Sequence, residues 1–340
     1  MPSTLILTVT RACNLRCSYC PTAKDGWPSL KPEQAALAVR LFADRYGGGD
    51  IKIFGGEPLL VPRVVEAALA AAAAEPRVRR VYLSTNGLGL NAAWLDRLAA
   101  LPKSILTISM DGAPDDHRRL RVAQHSRVAD CYDHLMGLLP RLRAQPRLVI
   151  TQTIAPETAA RAAQNFEHLL GLGLRRFNLL PGYYIRWTAD QHAQLREGLR
   201  AIGDRLEAGW ARGERLYLRN LFTWAPTPFF NTGVVVDSDA TVHPSNIGLS
   251  GALDGTRGST AVGTLDDPPS RDALAAAAQR VPELLRSTLG DEIMADTARV
   301  DAELTALCRR LYGPWAKARA ARAAAGASPG AARTVEPAHG

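Results

Sequence analysis

Six short runs rich in β-branched residues recur between stretches of helical periodicity, and this alternation limits the fold more than any other feature of the chain. The runs are LILTVT (5–10), DIKIFG (50–55), RVYLST (80–85), SILTIS (104–109), RLVITQTI (147–154) and LRRFNLL (174–180). Between them the spacing predicts helices over 32–46, 61–75, 91–101, 126–144 and 158–171, with a sixth over 189–211. Pro32 and Pro62 stand where a first helical turn tolerates proline, and the Gly171–Gly173 stretch closes the fifth helix. Strands alternating with helices in this way argue for parallel βαβ units. The expected fold is α/β: a partial, TIM-like (β/α)6 barrel, with its chemistry at the C-terminal ends of the strands.

The character changes after the sixth helix. VVVDSDATVHP (234–244) is two short β-runs around Asp-Ser-Asp and reads as a hairpin. Two Ala-rich helices are expected at 270–286 and 291–311, followed from Lys317 by an Ala/Arg/Gly/Pro-rich stretch that reads as disordered. This gives a barrel over 1–212, a hairpin with a helical extension over 213–316, and a tail over 317–340.

The net charge of +8 raises the question of nucleic acid. The basic residues are mostly Arg, however, scattered along Ala- and Leu-rich helices beside acidic partners, and no segment interleaves them with aromatics. A nucleic-acid partner is therefore not expected. No run of about 18 apolar residues suggests a membrane span. The first residues lack a basic leader with an apolar core, so the protein is expected in the cytoplasm.

Three of the five cysteines lie within eight residues, in Cys13-Asn-Leu-Arg-Cys17-Ser-Tyr-Cys20. In a cytosolic chain such crowding points to metal rather than to disulfides. The loop follows the first strand, so its thiolates would sit at the barrel mouth. A structural zinc or an ordinary [4Fe–4S] cluster takes four protein ligands. Here the next histidine is His117, so three thiolates would leave one iron open to a small molecule. A zinc site completed by a distant residue is the alternative. Cys131 and Cys308 stand alone and read as buried small hydrophobes.

Three further motifs follow at strand ends: Gly55-Gly56-Glu57-Pro58, Ser84-Thr85-Asn86-Gly87, and Ser109-Met-Asp111-Gly112 continuing through His117 to Arg121. Glycines let backbone approach a ligand closely, and a carboxylate accepts from an ammonium. The first two motifs, taken alone, also read as ordinary turns.

Together with the CxxxCxxC spacing and Tyr19 before its last cysteine, these motifs resemble the radical S-adenosylmethionine (SAM) superfamily. The resemblance covers about residues 5–245 and implies one [4Fe–4S] cluster on Cys13, Cys17 and Cys20, with SAM at the open iron. It further implies that Gly56 and Glu57 meet the SAM amino group and that Thr85 lies near the methionine moiety. Ser109 is assigned to the ribose and Arg121 to the carboxylate, with Arg118 and Arg119 as neighbouring candidates. Bidentate Arg–carboxylate pairing is a sound reason for the latter assignment. Asp111 is expected to cap the following loop.

The SxDG…H…R stretch is similar to that of the SPASM/Twitch branch, which includes sulfatase-maturing and peptide-modifying enzymes. Members of that branch hold auxiliary clusters on further cysteines after the barrel. Here the corresponding hairpin is degenerate, with Asn231 and Ser245 near the expected cysteines and Asn246 where a catalytic Asp stands in sulfatase-maturing enzymes. An amide cannot accept that proton, so sulfatase maturation is disfavoured. Weaker candidates for acid–base or hydrogen-atom roles are His243, which titrates near neutrality, and Tyr183 and Tyr184 after the sixth strand. A surface histidine and rim packing are their alternative readings.

The resemblance implies a radical SAM enzyme acting on a peptide or other natural-product precursor, with an electron donor of the flavodoxin or ferredoxin kind. The first strand begins at once, so a peptide is expected to need either a separate substrate-recognition protein or the C-terminal helices. A small metabolite, altered by a redox-neutral reaction, is the second reading. A non-catalytic iron–sulfur or SAM-binding partner subunit is the third.

Overall fold

The structure is a computed structural model that describes residues 4–223, 233–252 and 260–326. The six expected strands are present as β1 (Thr4–Thr10), β3 (Gly49–Gly55), β4 (Val78–Thr85), β5 (Ser104–Ser109), β7 (Leu148–Ile154) and β8 (Arg176–Pro181). Among the described residues they belong to a ten-stranded sheet of order β12-β11-β10-β1-β3-β4-β5-β7-β8-β9. The additional members are β9 (Tyr217–Leu218), β10 (Val234–Val236), β11 (Thr241–His243) and β12 (Gly263–Thr264). A separate two-stranded ribbon joins β2 (Leu15–Cys17) to β6 (Arg121–Ala123).

Helices α1 (Pro32–Tyr46), α2 (Pro62–Ala74), α3 (Ala92–Ala100), α4 (Pro114–Leu120), α5 (Cys131–Ala144), α6 (Ala162–Gly171) and α7 (Ala189–Ala211) fill the connections. Alternation along β3 shows how the layers divide. Ile51 and Ile53 are fully buried in the core shared with Val39 and Phe42 of α1 and Val65 of α2, while Asp50, Lys52 and Phe54 face the other side, half-buried. Strand side chains alternate between faces, so the second set lines the interior of the open barrel. The helix expected over 126–144 is α5, which begins at Cys131, where the Asp130 side chain caps it by accepting from Asp133 N at 2.9 Å.

The hairpin forms as expected, with β10 antiparallel to β11, but it is not a separate body. β10 lies parallel to β1 in the register Leu5↔Val234, Ile6↔Val235 and Leu7↔Val236. The expected boundary near residue 212 therefore does not break the sheet. All three valines of β10 are buried, the apolar run typical of a strand covered on both faces.

The C-terminal helices are α8 (Arg271–Leu289) and α9 (Asp291–Gly326). Disorder is expected from Lys317, yet α9 continues to Gly326 because residues 317–325 are Ala, Arg and Lys, all with strong helix propensity. Residues 327–340 lie outside the described residues. α9 packs along α7, pinned where Asp296 accepts from the Trp187 amide at 3.1 Å and from Arg186 at 3.0 Å, with His192 Nε2 at 3.2 Å. No helix among the described residues is long and apolar enough to cross a membrane.

Candidate active site

The cysteine loop leaves β1 at the C-terminal end of the sheet and is fastened on every side. Its entrance is held by Arg11, which is fully buried, stacks on Trp27 at 3.7 Å, donates to Gly248 O at 2.9 Å and pairs with Asp237 after β10. Its middle is β2, paired with β6 so that Cys17 stands opposite Arg121. Its exit is clamped by Ala23 N donating to Leu249 O and Gly251 N to Pro21 O, both at 2.9 Å. The three expected ligands Cys13, Cys17 and Cys20 are free thiols, each half-buried.

The Gly55-Gly56-Glu57 turn presses against this loop. Gly55 has φ +150°, and a Cβ there would meet Thr10 O at 2.1 Å; one on Gly56 would meet Ala12 O at 2.2 Å. Gly56 N donates to Thr10 O and Glu57 N to Ala12 O, each at 2.8 Å. These glycines thus bring two backbone segments together, a use of glycine other than the ligand approach expected from the sequence.

Glu57 is buried and takes three bonds: Leu59 N at 2.9 Å, Thr85 Oγ1 at 2.7 Å and Asn86 N at 2.7 Å. Burial raises its pKa, and the bonds from Thr85, Asn86 and Leu59 pull it back. Thr85, expected near the SAM methionine, is thereby buried against Glu57. Asn86 in turn donates to Asn14 at 2.7 Å and reaches Cys13 Sγ at 3.9 Å.

Asp111 is the largest departure from expectation. It does not cap its own loop. Oδ2 accepts from Arg121 Nε at 2.8 Å and Tyr19 OH at 2.9 Å, while Oδ1 accepts from Arg121 Nη2 at 3.1 Å and Thr153 N at 3.0 Å. The carboxylate joins the ends of β5 and β7 to the cysteine loop. Arg121, expected on a ligand carboxylate, has its fork filled by Asp111, and its Nη1 lies 4.0 Å from Cys17 Sγ. Tyr19 joins the same network through its hydroxyl, a role that the aromatic before the last cysteine did not disclose. Ser109 ends β5, half-buried, on the strand that carries Asp111. Arg118 faces Asp130 and Asp133, and Arg119 is exposed.

His117 is completely buried; its Nδ1 accepts from Asp111 N at 3.3 Å and its Nε2 has no partner. Burial lowers its pKa to about 4, so the ring is neutral near pH 7. It lines a cavity of about 150 Å³ with Leu15, Arg121, Cys131 and Tyr132. Cys131 and Cys308 are buried, as expected of lone cysteines.

The weaker candidates are locked in place. His243 is buried, with Nε2 at 2.8 Å from Thr241 Oγ1 and Nδ1 at 3.1 Å from Thr260 Oγ1, so it is not a surface histidine. Tyr183 is buried and donates to Asp301 at 3.3 Å. Tyr184, at φ +62°, donates its amide to Thr297 and packs against Ile247, Val281 and Leu285. The two tyrosines join the barrel rim to the C-terminal helices. Ser245 and Asn246 are buried; Asn231 lies outside the described residues.

Three half-buried free thiols on one fastened loop form a donor set that fits an iron–sulfur cluster. Among the described residues no three His, Cys, Asp or Glu side chains lie within reach of one metal ion. A cluster makes no such demand, since each thiolate binds its own iron at a separate corner. Burial raises the Cys13 thiol and lifts Cys17 to about 11, with Arg121 opposing it, so deprotonation there would accompany metal binding.

Comparison with known proteins bears on this site. Residues 7–143 match the radical SAM superfamily. The GTP 3′,8-cyclase of Mycobacterium marinum is 32% identical over 190 residues, covering 54% of this chain and 48% of its own. That of Mycolicibacterium smegmatis is 35% identical over 131 residues, covering 37% and 36%. The chain thus spans about half or less of the length of these curated relatives. Among solved structures, anSMEcpe with bound AdoMet superposes with TM-score 0.65 at 17% identity, covering 81% of this chain and 80% of that one. SuiB of Streptococcus suis bound to S-adenosylmethionine gives 0.57 at 15%, covering 82% and 64%. At these identities the likeness establishes the fold, the radical SAM partial barrel.

Proposed function

We propose that this chain, built around a radical SAM domain over residues 7–143, is an enzyme that holds one [4Fe–4S] cluster on Cys13, Cys17 and Cys20 and binds SAM beside it. The observation that carries this reading is convergence. Motifs from the ends of β3, β4 and β5 all bond to the cysteine loop or to residues that touch it, through Gly56 N, Asn86 Nδ2 and Asp111. When bound, the cluster supplies the electron that splits SAM into methionine and a 5′-deoxyadenosyl radical, which takes a hydrogen atom from substrate. The protein's part is positional. Glu57, with one acceptor direction beyond its three bonds, is placed to meet an ammonium, and Thr85 fixes it there. Arg121 keeps Nη1 for the ligand side while Asp111 holds the rest of the fork. Gly56, Ser109 and Tyr19 complete the assigned contacts.

The hairpin supports a SPASM/Twitch-like origin, since the fold likeness to anSMEcpe extends well past residue 143. For the substrate we favour a small metabolite over the peptide that this branch implies. The curated relatives at 32–35% identity are named GTP 3′,8-cyclase. Peptide-bound structures share only 14–18% identity, a level that speaks to fold alone. The reading includes a cytoplasmic location and an electron donor of the flavodoxin or ferredoxin kind.

Anaerobic reconstitution followed by reduction with dithionite in the presence of SAM tests this. 5′-Deoxyadenosine should form. Its absence from protein carrying about four irons per chain would overturn catalysis and leave a binding subunit.

A further inference from the structure

The interior face of the barrel is basic. Lys52 of β3 stands in register with Tyr82 of β4, and Arg80, exposed at the edge of the same face, hydrogen-bonds Tyr82. Arg219 follows β9, which β5, β7 and β8 separate from β4, yet its guanidinium sits 4.3 Å over the Tyr82 ring. That contact spans the interior. Arg176 of β8 lies 4.2 Å over Tyr217 beside it. Lys52, Arg80, Arg176 and Arg219 have no acidic ion-pair partner among the described residues. Asp50, the acid of this group, is engaged by Arg79 at 3.3 Å.

Two further facts show an interior short of partners. Burial, reinforced by Arg219 and only partly opposed by Asp50, lowers Lys52 to about 8. The buried Thr8 Oγ1, Thr107 Oγ1 and Arg176 Nε have no hydrogen-bond partner, and by register both threonines share the face of Lys52. Unpaired cations in a half-buried setting repel one another, and an anion among them relieves that repulsion. Guanidinium forks favour the oxygens of phosphate.

We propose that this interior face is an anion site for a phosphate-type group carried by the substrate. It deepens the metabolite reading above. Lys52 lies three residues before Gly55, roughly 10 Å along the strand, so a substrate anchored here can extend toward the cysteine loop.

The test uses the full chain without cluster or SAM, with pyrophosphate as probe in calorimetric titration. The wild type should bind, and Lys52→Met and Arg219→Met should each weaken binding at least tenfold, while the exposed Arg196→Met leaves it unchanged. Equal binding by all of them would mean surface adsorption and overturn the site. If Lys52→Met instead raises the melting temperature and pyrophosphate never binds, the cations form only a structural plug. Should the variants misfold, acetic anhydride labelling of the wild type serves: pyrophosphate must protect Lys52 but not exposed Lys31, and no protection refutes the site. Ribose 5-phosphate should bind more tightly than inorganic phosphate; equal affinity would overturn the assignment to substrate. Because no step needs radical chemistry, failure here leaves SAM cleavage standing, and the converse holds.

Discussion

Arg121 and Asp111 meet as a two-point ion pair, Nε to Oδ2 at 2.8 Å and Nη2 to Oδ1 at 3.1 Å, with Arg121 8% and Asp111 1% exposed. Breaking a buried pair from one side strands the other charge. Asp111→Ala should therefore destabilise the protein by about 3–5 kcal/mol, read from urea denaturation. Arg121→Ala should also weaken SAM binding, by about 1.5–3 kcal/mol for a lost charge-assisted bond. SAM affinity unchanged in equilibrium dialysis would remove Arg121 from the ligand site.

Cys17→Ala should abolish both iron retention and 5′-deoxyadenosine formation while leaving the barrel folded, because the sheet does not depend on the thiol. The wild type should hold about four irons per chain, with no second cluster. Iron analysis, circular dichroism and chromatography of the nucleoside products check the three parts together. Around eight irons, or tightly held zinc, would refute the single-cluster assignment.

Glu57→Ala leaves the amides of Leu59 and Asn86 and the Thr85 hydroxyl without their acceptor. The expected result is weaker SAM binding by about 1.5–3 kcal/mol, together with lower thermal stability. Glu57→Gln keeps the shape and one acceptor, so it should recover much of the stability but not the affinity. Recovery of both would mean that the carboxylate serves the fold alone.

His117 supplies a pH test. Its folded-state pKa, about 4, lies below the usual 6.5 because burial disfavours the charged ring. As pH falls through 6.5 the unfolded chain takes up the proton first, so stability declines progressively until about pH 4. The loss amounts to about 3 kcal/mol at that limit. Replacing His117 with Gln should flatten this part of the profile, measured as the difference between wild-type and variant urea midpoints from pH 7 to 4.5. Parallel profiles would show that the ring does not titrate as described.

Ser245 and Asn246 lie in the cysteine-less hairpin, where Ser245 Oγ accepts from Ile247 N and Asn246 Oδ1 is buried without a partner. Replacing both by Ala should impair substrate turnover more than substrate-free SAM cleavage. An equal fall in the two rates would assign the hairpin to support of the cysteine loop alone.

Much of this was legible in the sequence. β5 was predicted at its observed limits, the other five expected strands differ from theirs by one or two residues at one or both ends, and α1 and α7 match their predicted spans, since proline and capping residues mark where they begin. The parallel union of β10 with β1 was not legible, because three valines record burial without naming the neighbour. The motif order located the site, but the wiring within it was hidden. Asp111 looked like a loop residue because its partners Tyr19, Arg121 and Thr153 lie 92, 10 and 42 residues away. The basic interior was missed for a similar reason: Lys52, Arg80, Arg176 and Arg219 are dispersed along the chain and meet only once the sheet curves.

The strand that launches the cysteine loop waits for a neighbour made very late. Arg11 and Asp237 are 226 residues apart, which at usual rates of synthesis is roughly 10–45 s of translation. Until then one edge of β1 is bare, a template for wrong pairing, and the loop has neither its entrance anchor nor its exit clamp. Iron delivered before residues 237–251 emerge would find three thiols on an unsupported segment. Cluster insertion should therefore follow their emergence, and a fragment ending near residue 212 should be an insoluble chain rather than a minimal barrel.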